Sequence, residues 1–422
     1  MAPPPRPIKR DFSDSWRRIK KRLQTYTDQI IDLQRDLTAI PALGPQNGGQ
    51  GEYVKALYLE KMIKTLFPKT FLSIPCPDPK ALQGVRPNLL ALFEGQRSSK
   101  TIWILSHMDI VPVGDLRLWK TDPFEIKRKG DRLFGRGVED NQHGIVSSFF
   151  AIKALQEEGL RPTYPVGLIW VSDEETGSHQ GLEYVLKRKR NLFKTKDLII
   201  VPDAGNREGT MIEIAEKSLL WLKFSLSGRQ CHASRPDLGL NTFRATAHLI
   251  MALEKLPRIF NKKDPRFDIP VSTFEPTKKE ANVPNINTIP GKDVFYLDCR
   301  ILPEYPLKKA IETIKEMVAL VAKKTGVRIK VEVVNAVQAP SATAADAPVV
   351  QALQKAIEAV KQKKAFPQGI GGATVAAFFR QVGLPAAVWC TSSETAHQPN
   401  EYCRISDLIK DAQIFAHIFC QP

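Results

Sequence analysis

The stretch TIWILSHMD (Thr101–Asp109) decides the fold, because a strand-like apolar run ends there at a histidine and an aspartate. The same pattern recurs along the chain. The other runs are Pro165–Ser172, followed by Glu174 and Glu175, Leu198–Pro202, followed by Asp203, and Ala386–Thr391, followed after a short loop by His397. Apolar runs without alternation are typical of strands buried on both faces, as in a parallel sheet covered by helices. Such sheets bind ligands at the carboxyl ends of their strands, so these polar residues are predicted to meet at one edge.

The residue types at this edge suit a pair of divalent metal ions. Two ions about 3.5–4 Å apart can activate a water molecule and stabilise an oxyanion. Such a site needs an imidazole and a carboxylate for each ion, a bridging carboxylate, and a separate carboxylate that moves the proton. The candidate ligands are His107, Asp203, His397, Asp140, which precedes the helix-like stretch Gly144–Leu155, and one of Glu174 and Glu175, the other being left as the base. Asp109 is placed to hydrogen-bond the imidazole of His107 and to fix its tautomer.

Each of these residues alone has a simpler interpretation. A lone His-x-Asp is usually a surface turn or a core histidine, adjacent glutamates usually begin a solvated helix, and Asp140 could cap the helix that follows it. The joint placement at strand ends favours the metal site.

Composition limits the class of protein. The 422 residues can hold two domains, and 43% hydrophobic with 25% charged residues is typical of a soluble globular protein. The first residues, Met1–Asp11, have no apolar stretch long enough for a signal peptide, and no later segment is long and apolar enough for a membrane span. Six cysteines without CxxC spacing fit a reducing compartment, so the cytosol is the expected location. The net charge of +16 is not accompanied by a recognisable nucleic-acid module, and it is expected to favour substrates that carry a carboxylate.

A segment with a different order of elements interrupts the alternation of strands and helices. Residues 217–335 are predicted to form a ferredoxin-like β-α-β-β-α-β domain inserted in an α/β domain of residues 1–216 and 336–422. Its predicted elements are strand Ser218–Ser227, helix Asn241–Leu256, strands Asn285–Ile289 and Val294–Leu302, helix Leu307–Lys324 and strand Val327–Val334.

Eight ordered motifs give the chain a resemblance to a known family over nearly its whole length. They are SHMDIVP (Ser106–Pro112), GRGVEDNQHG (Gly135–Gly144), SDEETGS (Ser172–Ser178), PDAG (Pro202–Gly205), GRQCHAS (Gly228–Ser234), NTIPG (Asn287–Gly291), LDCR (Leu297–Arg300) and AHQPNE (Ala396–Glu401). The chain resembles the co-catalytic metallopeptidases and amidohydrolases that include acetylornithine deacetylase, succinyl-diaminopimelate desuccinylase, aminoacylase and glutamate carboxypeptidase. The resemblance implies a zinc-exopeptidase-like α/β/α catalytic domain and an inserted lid that also forms a homodimer.

The resemblance also assigns roles to single residues. It implies that His107 and Asp203 hold one metal, that Glu175 and His397 hold the other, and that Asp140 bridges them. Glu174 matches the general base and Asp109 the residue that orients the first histidine. In the inserted domain, His232 matches a histidine that stabilises the oxyanion, and Asn287 and Arg300 match residues that hold a substrate carboxylate. An arginine suits a bidentate grip on a carboxylate, although His232 and Arg300 could also be structural.

The expected activity is metal-dependent hydrolysis of an amide bond in an N-acyl amino acid or a short peptide. Two divalent ions are expected, with zinc as the default and cobalt or manganese as alternatives. A deacylase and a dipeptidase or carboxypeptidase both remain open, and a catalytically silent scaffold is the non-enzyme alternative. Two departures from the family pattern, Gln142 and the aspartate-free stretch Gly369–Phe379, leave the substrate pocket undefined.

Overall fold

A mixed sheet with four neighbouring parallel strands at its centre organises the larger of two units of the chain. The computed structural model describes residues 12–421. The first unit comprises the described residues up to Ile214, Thr343–Pro367 and the residues from Thr374 onward, and the second comprises Ala215–Ala342 and Gln368–Ala373. The sequence placed the end of the inserted domain at residue 335, before the last strand of the second unit is complete.

The first unit contains most of the helices. They are α1 (Phe12–Gln24), α2 (Thr27–Thr38), α3 (Tyr53–Lys64), α4 (Gln142–Glu157), α5 (Leu182–Lys189), α9 (Pro348–Lys361), α10 (Ala376–Gln381) and α11 (Ile405–Cys420). Its strands are β1 (Thr70–Ser73), β2 (Cys76–Pro77), β3 (Val85–Arg86), β4 (Leu89–Phe93), β5 (Ile102–His107), β6 (Lys127–Lys129), β7 (Arg132–Phe134), β8 (Val166–Val171), β9 (Leu198–Asn206), β18 (Ala386–Thr391) and β19 (Tyr402–Arg404), and β10 (Met211–Glu216) and β17 (Phe366–Ile370) run across the boundary between the units.

The strand order of the large sheet is β1-β4-β8-β5-β9-β18-β10-β17. The central strands β8, β5, β9 and β18 are mutually parallel, with Ile102 opposite both Val166 and Leu198. All six residues of β5, β8 and β18 are buried, which explains their unbroken apolar sequences. The predicted mixed α/β fold with a parallel-rich sheet is confirmed.

Helices cover the sheet on both faces. Alternate strand residues, among them Trp103, Leu105, Ile169 and Val171, join a core with α5 and α10, while α4 and α11 pack on the sheet from the other face. Gly167 makes room for the indole of Trp103, because a Cβ at this position would lie 2.0 Å from the ring. Layers of this kind place the carboxyl ends of the four strands along one edge.

One strand boundary differs from the expectation. The sequence ended the third run at Pro202, whereas β9 continues to Asn206, so Asp203 lies within the strand. Pairing with β18 resumes after an irregularity, with Cys390 opposite Gly205. No helix within residues 12–421 has the length and apolar character that crossing a membrane requires.

The second unit has the ferredoxin-like order of strands. Its elements are β11 (Ser218–Ser227), β12 (Cys231–His232), α6 (Thr242–Leu253), α7 (Leu256–Ile259), β13 (Thr273–Lys279), β14 (Thr288–Ile289), β15 (Lys292–Ile301), α8 (Leu307–Thr325) and β16 (Arg328–Val337). The four-stranded sheet is antiparallel throughout and runs β13-β15-β11-β16.

The assignment of the second strand of this unit was wrong. The sequence put it at Asn285–Ile289, whereas the strand beside β15 is β13, Thr273–Lys279. Residues Thr288–Ile289 instead pair with Cys231–His232 in a separate two-stranded sheet. The strand β13 was missed because it is a mostly exposed edge strand with Pro276 next to an irregularity in pairing, and edges are where sheets tolerate proline.

Candidate metal centre

The seven residues predicted from strand ends all belong to the first unit and lie at one edge of its sheet. His107 is the last residue of β5, Glu174 and Glu175 form the turn after β8, and Asp203 lies near the end of β9. Asp140 lies just before α4, and His397 lies in the loop between β18 and β19.

The carboxylate of Asp140 lies between the two imidazoles. Its Oδ1 is 2.9 Å from Nε2 of His107, and its Oδ2 is 3.1 Å from Nε2 of His397. On the His107 side, Oδ1 of Asp203 is 3.4 Å from the same Nε2. On the His397 side, Oε2 of Glu175 is 3.1 Å from Nε2. The arrangement thus has two halves that share one carboxylate.

The donor atoms converge closely enough to hold metal ions. In the group His107, Asp140 and Glu175 one ligand atom from each residue lies within 4.8 Å of the others, and the same is true of His107, Glu174 and Asp203. Imidazole nitrogens and carboxylate oxygens are ligands that zinc prefers. The residues present therefore fit a pair of divalent ions.

The pKa shifts show that the centre concentrates negative charge. Burial and the neighbouring Asp140 raise the pKa of Glu175 to about 7, and burial together with Asp203 holds the pKa of Glu174 well above its usual value. Hydrogen bonds to Asp140 and Glu175 raise the pKa of His397 to about 10. Burial alone would lower the pKa of His107, but hydrogen bonds to three carboxylates outweigh it and hold that pKa well above normal. Bound cations would offset the repulsion among the neighbouring carboxylates.

Asp109 contacts both His107 and the turn that carries Glu174 and Glu175, and the sequence predicts only the contact with His107. Nδ1 of His107 lies 3.4 Å from the Asp109 carboxylate and 3.0 Å from its backbone carbonyl. The carboxylate also accepts the backbone N–H groups of Glu174 at 3.1 Å and Glu175 at 3.0 Å. It thus joins the end of β5 to the turn after β8.

A buried ion pair that the sequence did not point to supports the same turn. Arg86 and Glu52 are fully buried and form a bidentate pair, with Arg86 Nε 2.5 Å from Glu52 Oε2. Glu52 also accepts the backbone N–H of Asp173, the positive-φ residue that precedes Glu174, and Arg86 lies 3.5 Å from the Asp173 carboxylate. Neither Glu52 nor Arg86 lies in a strand-end pattern, so the sequence offered no signal for them.

A glycine sets how closely α4 approaches the strand ends. A Cβ on Gly144 would lie 2.4 Å from Cγ of Pro202 in β9 and 2.6 Å from Oγ of Ser106 in β5. Only glycine lets the first turn of α4, and with it Asp140, lie this close to the sheet edge.

The other three predicted residues belong to the second unit. His232 is exposed on β12, where its Nδ1 lies 2.8 Å from Oγ of Ser234. The backbone carbonyl of Asn287 accepts a hydrogen bond from the backbone N–H of Ala233. Arg300 on β15 donates to the Asp298 carboxylate and to the Gly371 carbonyl, so its guanidinium is held within this unit.

Comparison with known proteins identifies the family. The model of peptidase family M20/M25/M40 matches residues 103–421. The chain belongs to peptidase family M20/M25/M40. The predicted resemblance is thereby confirmed, and as a member of this family the chain is a hydrolase that acts on amide bonds.

Relatives of this M20/M25/M40 member span it almost completely. It is 39% identical over 418 residues to an uncharacterised metallohydrolase of Methanococcus maripaludis, covering 94% of this chain and 100% of the relative. It is 24% identical over 392 residues to a succinyl-diaminopimelate desuccinylase of Nitratiruptor, covering 92% and 99%.

Solved structures share the fold of this member of the M20/M25/M40 family. The di-peptidase Dug1p of Saccharomyces cerevisiae is similar with a TM-score of 0.73 and 14% identity, covering 96% of this chain and 98% of that one. A dinuclear metal-binding M20 peptidase of Bacillus subtilis is similar with a TM-score of 0.63 and 15% identity, covering 94% and 98%.

Proposed function

We propose that the chain is a two-metal hydrolase that cleaves the amide bond of an N-acyl amino acid or a short peptide and releases an amino acid with a free α-carboxylate. The observation that carries the proposal is the Asp140 carboxylate, which turns one oxygen toward each of the two imidazoles. His107 and Asp203 would hold one ion, Glu175 and His397 the other, and Asp140 both. The metals are zinc by default, with cobalt or manganese as alternatives.

When bound, the two ions would supply Lewis acidity to a water molecule and to the scissile carbonyl. Glu175 is assigned as a ligand because it lies 3.1 Å from Nε2 of His397, and Glu174, whose carboxylate lies near His107 and Asp203, is assigned as the base on the sequence motif. It takes a proton from the attacking water and delivers it to the departing nitrogen. Asp109 holds both the imidazole of His107 and the backbone of Glu174 in place.

In the second unit, His232 is assigned to stabilise the oxyanion, and Asn287 and Arg300 to bind the substrate carboxylate. The unit is proposed to act as a lid and as the surface of a homodimer. The location proposed is the cytosol, where the six cysteines, all of them free, would stay reduced. These assignments rest on the sequence motifs.

Two substrate classes remain candidates. The desuccinylase name of one group of relatives favours a deacylase, whereas the di-peptidase name of a structural neighbour favours an exopeptidase. The test is release of free amine from a panel of N-acetyl, N-succinyl and dipeptide substrates, with zinc, cobalt or manganese added. Metal-dependent cleavage is expected, and the preferred substrate separates the two classes. No cleavage of any substrate by a protein that binds no metal would favour the silent scaffold instead.

A further inference from the structure

Two carboxylates outside the ligand set connect the segments that carry Asp140 and His397. Glu139 immediately precedes Asp140, and Glu401 follows His397 by four residues. Both side chains are buried, with exposed fractions of 7% for Glu139 and 0% for Glu401. Each lies against the other's segment.

Glu401 binds the segment that leads to Asp140. Its Oε1 accepts the backbone N–H groups of Glu139 at 2.9 Å and Asp140 at 3.2 Å. Its Oε2 accepts the backbone N–H of Gly137 at 3.0 Å and Nη1 of Arg136 at 2.6 Å. Four donors therefore fix one carboxylate.

Glu139 binds the segment that leads to His397. Its Oε1 accepts Oγ of Ser392 at 2.6 Å and the backbone N–H of Glu394 at 2.9 Å. Its Oε2 accepts both the backbone N–H of Thr395 at 2.8 Å and its Oγ1 at 2.5 Å. The two carboxylates thus form a reciprocal clamp.

The loop that the clamp holds has an unfavourable backbone. Glu394, His397 and Asn400 all have positive φ angles, of 59°, 64° and 62°. Residues other than glycine seldom adopt this conformation, and each instance costs free energy that surrounding contacts must offset. The hydrogen bond that the Glu139 carboxylate accepts from Glu394, and those of the Asn400 side chain with Leu118 and Lys120, provide such contacts.

We infer that Glu139 and Glu401 are reciprocal positioning residues, which set the separation between Asp140 and His397 and so build the half of the metal centre that these two share with Glu175. This inference rests on the two-metal site proposed above. The ligand pair itself is separated by 3.1 Å. A loop free to adopt other conformations would have to be ordered when the ion binds, which would weaken affinity.

The test uses the isosteric variants Glu139→Gln and Glu401→Gln. In each variant an NH₂ group replaces one carboxylate oxygen. Because NH₂ only donates hydrogen bonds, it cannot accept those that the N–H and O–H groups made to that oxygen. We expect Glu139→Gln, which acts through the His397 loop, to lower the affinity for the ion held by Glu175 and His397 by about 10- to 100-fold while the other ion stays bound, as is typical when residues behind metal ligands are changed. Glu401→Gln acts through Asp140, which both ions share, and should weaken the binding of both. Stepwise competition with a zinc chelator and metal analysis of the protein measure the two affinities separately.

A matched control exists at the opposite end of the strands. Asp197 is a buried carboxylate that accepts the backbone N–H groups of Thr101 and Lys194 and the indole N–H of Trp103. Asp197→Asn makes the same chemical change far from the ligands, and it should bind both ions with wild-type affinity. Equal loss of both ions in Glu139→Gln, unchanged binding in either Glu variant, or the same loss in Asp197→Asn would each overturn the inference.

A metal-free measurement separates this inference from the proposed function. In chelator-treated protein, hydrogen exchange of residues 392–400 should be faster in Glu139→Gln, and that of residues 135–140 faster in Glu401→Gln, by comparison with wild type and Asp197→Asn. If a variant does not fold, Ser392→Ala removes one donor from Glu139 and gives a milder form of the same test. Wild-type protein that binds no metal would refute the metal site. Unchanged exchange rates in folded variants would refute the clamp.

Discussion

At the scale of single residues, the centre depends on which of two adjacent glutamates is a metal ligand and which is the base. Glu175 lies 3.1 Å from Nε2 of His397 and groups with His107 and Asp140, whereas Glu174 groups with His107 and Asp203. Side chains of neighbouring residues leave the backbone in different directions, so both cannot easily serve one ion. The Asp109 carboxylate accepts hydrogen bonds from the backbone N–H groups of Glu174 and Glu175, and it thereby fixes the orientation of both residues.

This difference predicts opposite results for two substitutions. Glu174→Gln should abolish turnover while both ions stay bound, because it removes the proton acceptor and leaves the ligands intact. Glu175→Ala should deplete one ion. Steady-state kinetics and metal analysis of both variants measure the two effects. Retention of more than about a tenth of wild-type kcat in Glu174→Gln would refute its role as base, and full occupancy in Glu175→Ala would reverse the two assignments.

The sequence predicted which side chains meet at the edge of the sheet, but only one of the contacts that hold them there, that of Asp109 with His107. His107, Glu174, Glu175 and Asp203 were found because unbroken apolar runs identify buried strands and their ends. The bond from Asp109 to the Glu174 turn joins residues 65 positions apart in sequence, and no local pattern encodes it. The same holds for the Glu52–Arg86 pair, which depends on α3 lying beside the sheet.

At the scale of elements, helix α4 and the strand ends fit together through Gly144. A methyl group there would overlap Pro202, whose ring cannot rotate away, and Ser106. The helix would therefore have to move outward and take Asp140 with it.

Gly144→Ala should consequently destabilise the protein by about 1–3 kcal/mol, the usual cost of adding a methyl group to a filled core. Its metal affinity should fall as well. Chemical denaturation and chelator competition measure the two effects. Gly371→Ala is the control, since a Cβ at that position meets nothing within 4 Å, and it should change neither quantity. Wild-type stability in Gly144→Ala would show that α4 is not held at this distance.

Helix α11 carries a buried histidine, His417, outside the proposed ligand set. Burial lowers the pKa of His417 to about 4, and its ring packs edge-on against Trp16 and accepts a hydrogen bond from Gln421. In the unfolded chain the pKa is about 6.5. The unfolded state therefore binds the proton first as pH falls, and stability decreases between about pH 6.5 and pH 4.

His417→Gln should reduce the loss of stability over this interval, because glutamine does not titrate. The measurement is the free energy of unfolding of both proteins from pH 7 to pH 4, with the two curves compared by slope. The curves should become parallel below about pH 4, where both states of the histidine are protonated. Parallel curves throughout would mean that His417 is not held neutral in the folded protein.

At the scale of the whole molecule, the sequence predicted the parallel-rich sheet but missed a strand at the edge of the smaller sheet. The parallel-rich sheet follows from the unbroken apolar runs, which identify strands buried on both faces. The strand Thr273–Lys279 was not predicted, because an exposed edge strand has no apolar face to recognise and contains Pro276. The sequence thus predicts buried strands better than edges.

The division into two units predicts where metal removal acts. All five proposed ligands belong to the first unit, so ions that bind only its folded form stabilise that unit, by about 2.7 kcal/mol at a free concentration 100 times the dissociation constant. Adding a chelator should lower the melting temperature of the first unit and leave that of the second unchanged. Hydrogen exchange during heating assigns each transition to its segment. A shift confined to Ala215–Ala342 would contradict the location of the site.

The strand order also determines when the large sheet can finish folding during translation. Strand β18 lies between β9 and β10 in the sheet, yet it is made after them and after the entire stretch Ala215–Ala342. Until Ala386–Thr391 leaves the ribosome, two strands already made expose unpaired backbone edges, which invite association with other chains. The second unit, encoded almost in one stretch, can finish folding earlier. The edges of β9 and β10 therefore stay unpaired until β18 has been synthesised. A prematurely terminated product would lack both this interior strand and His397.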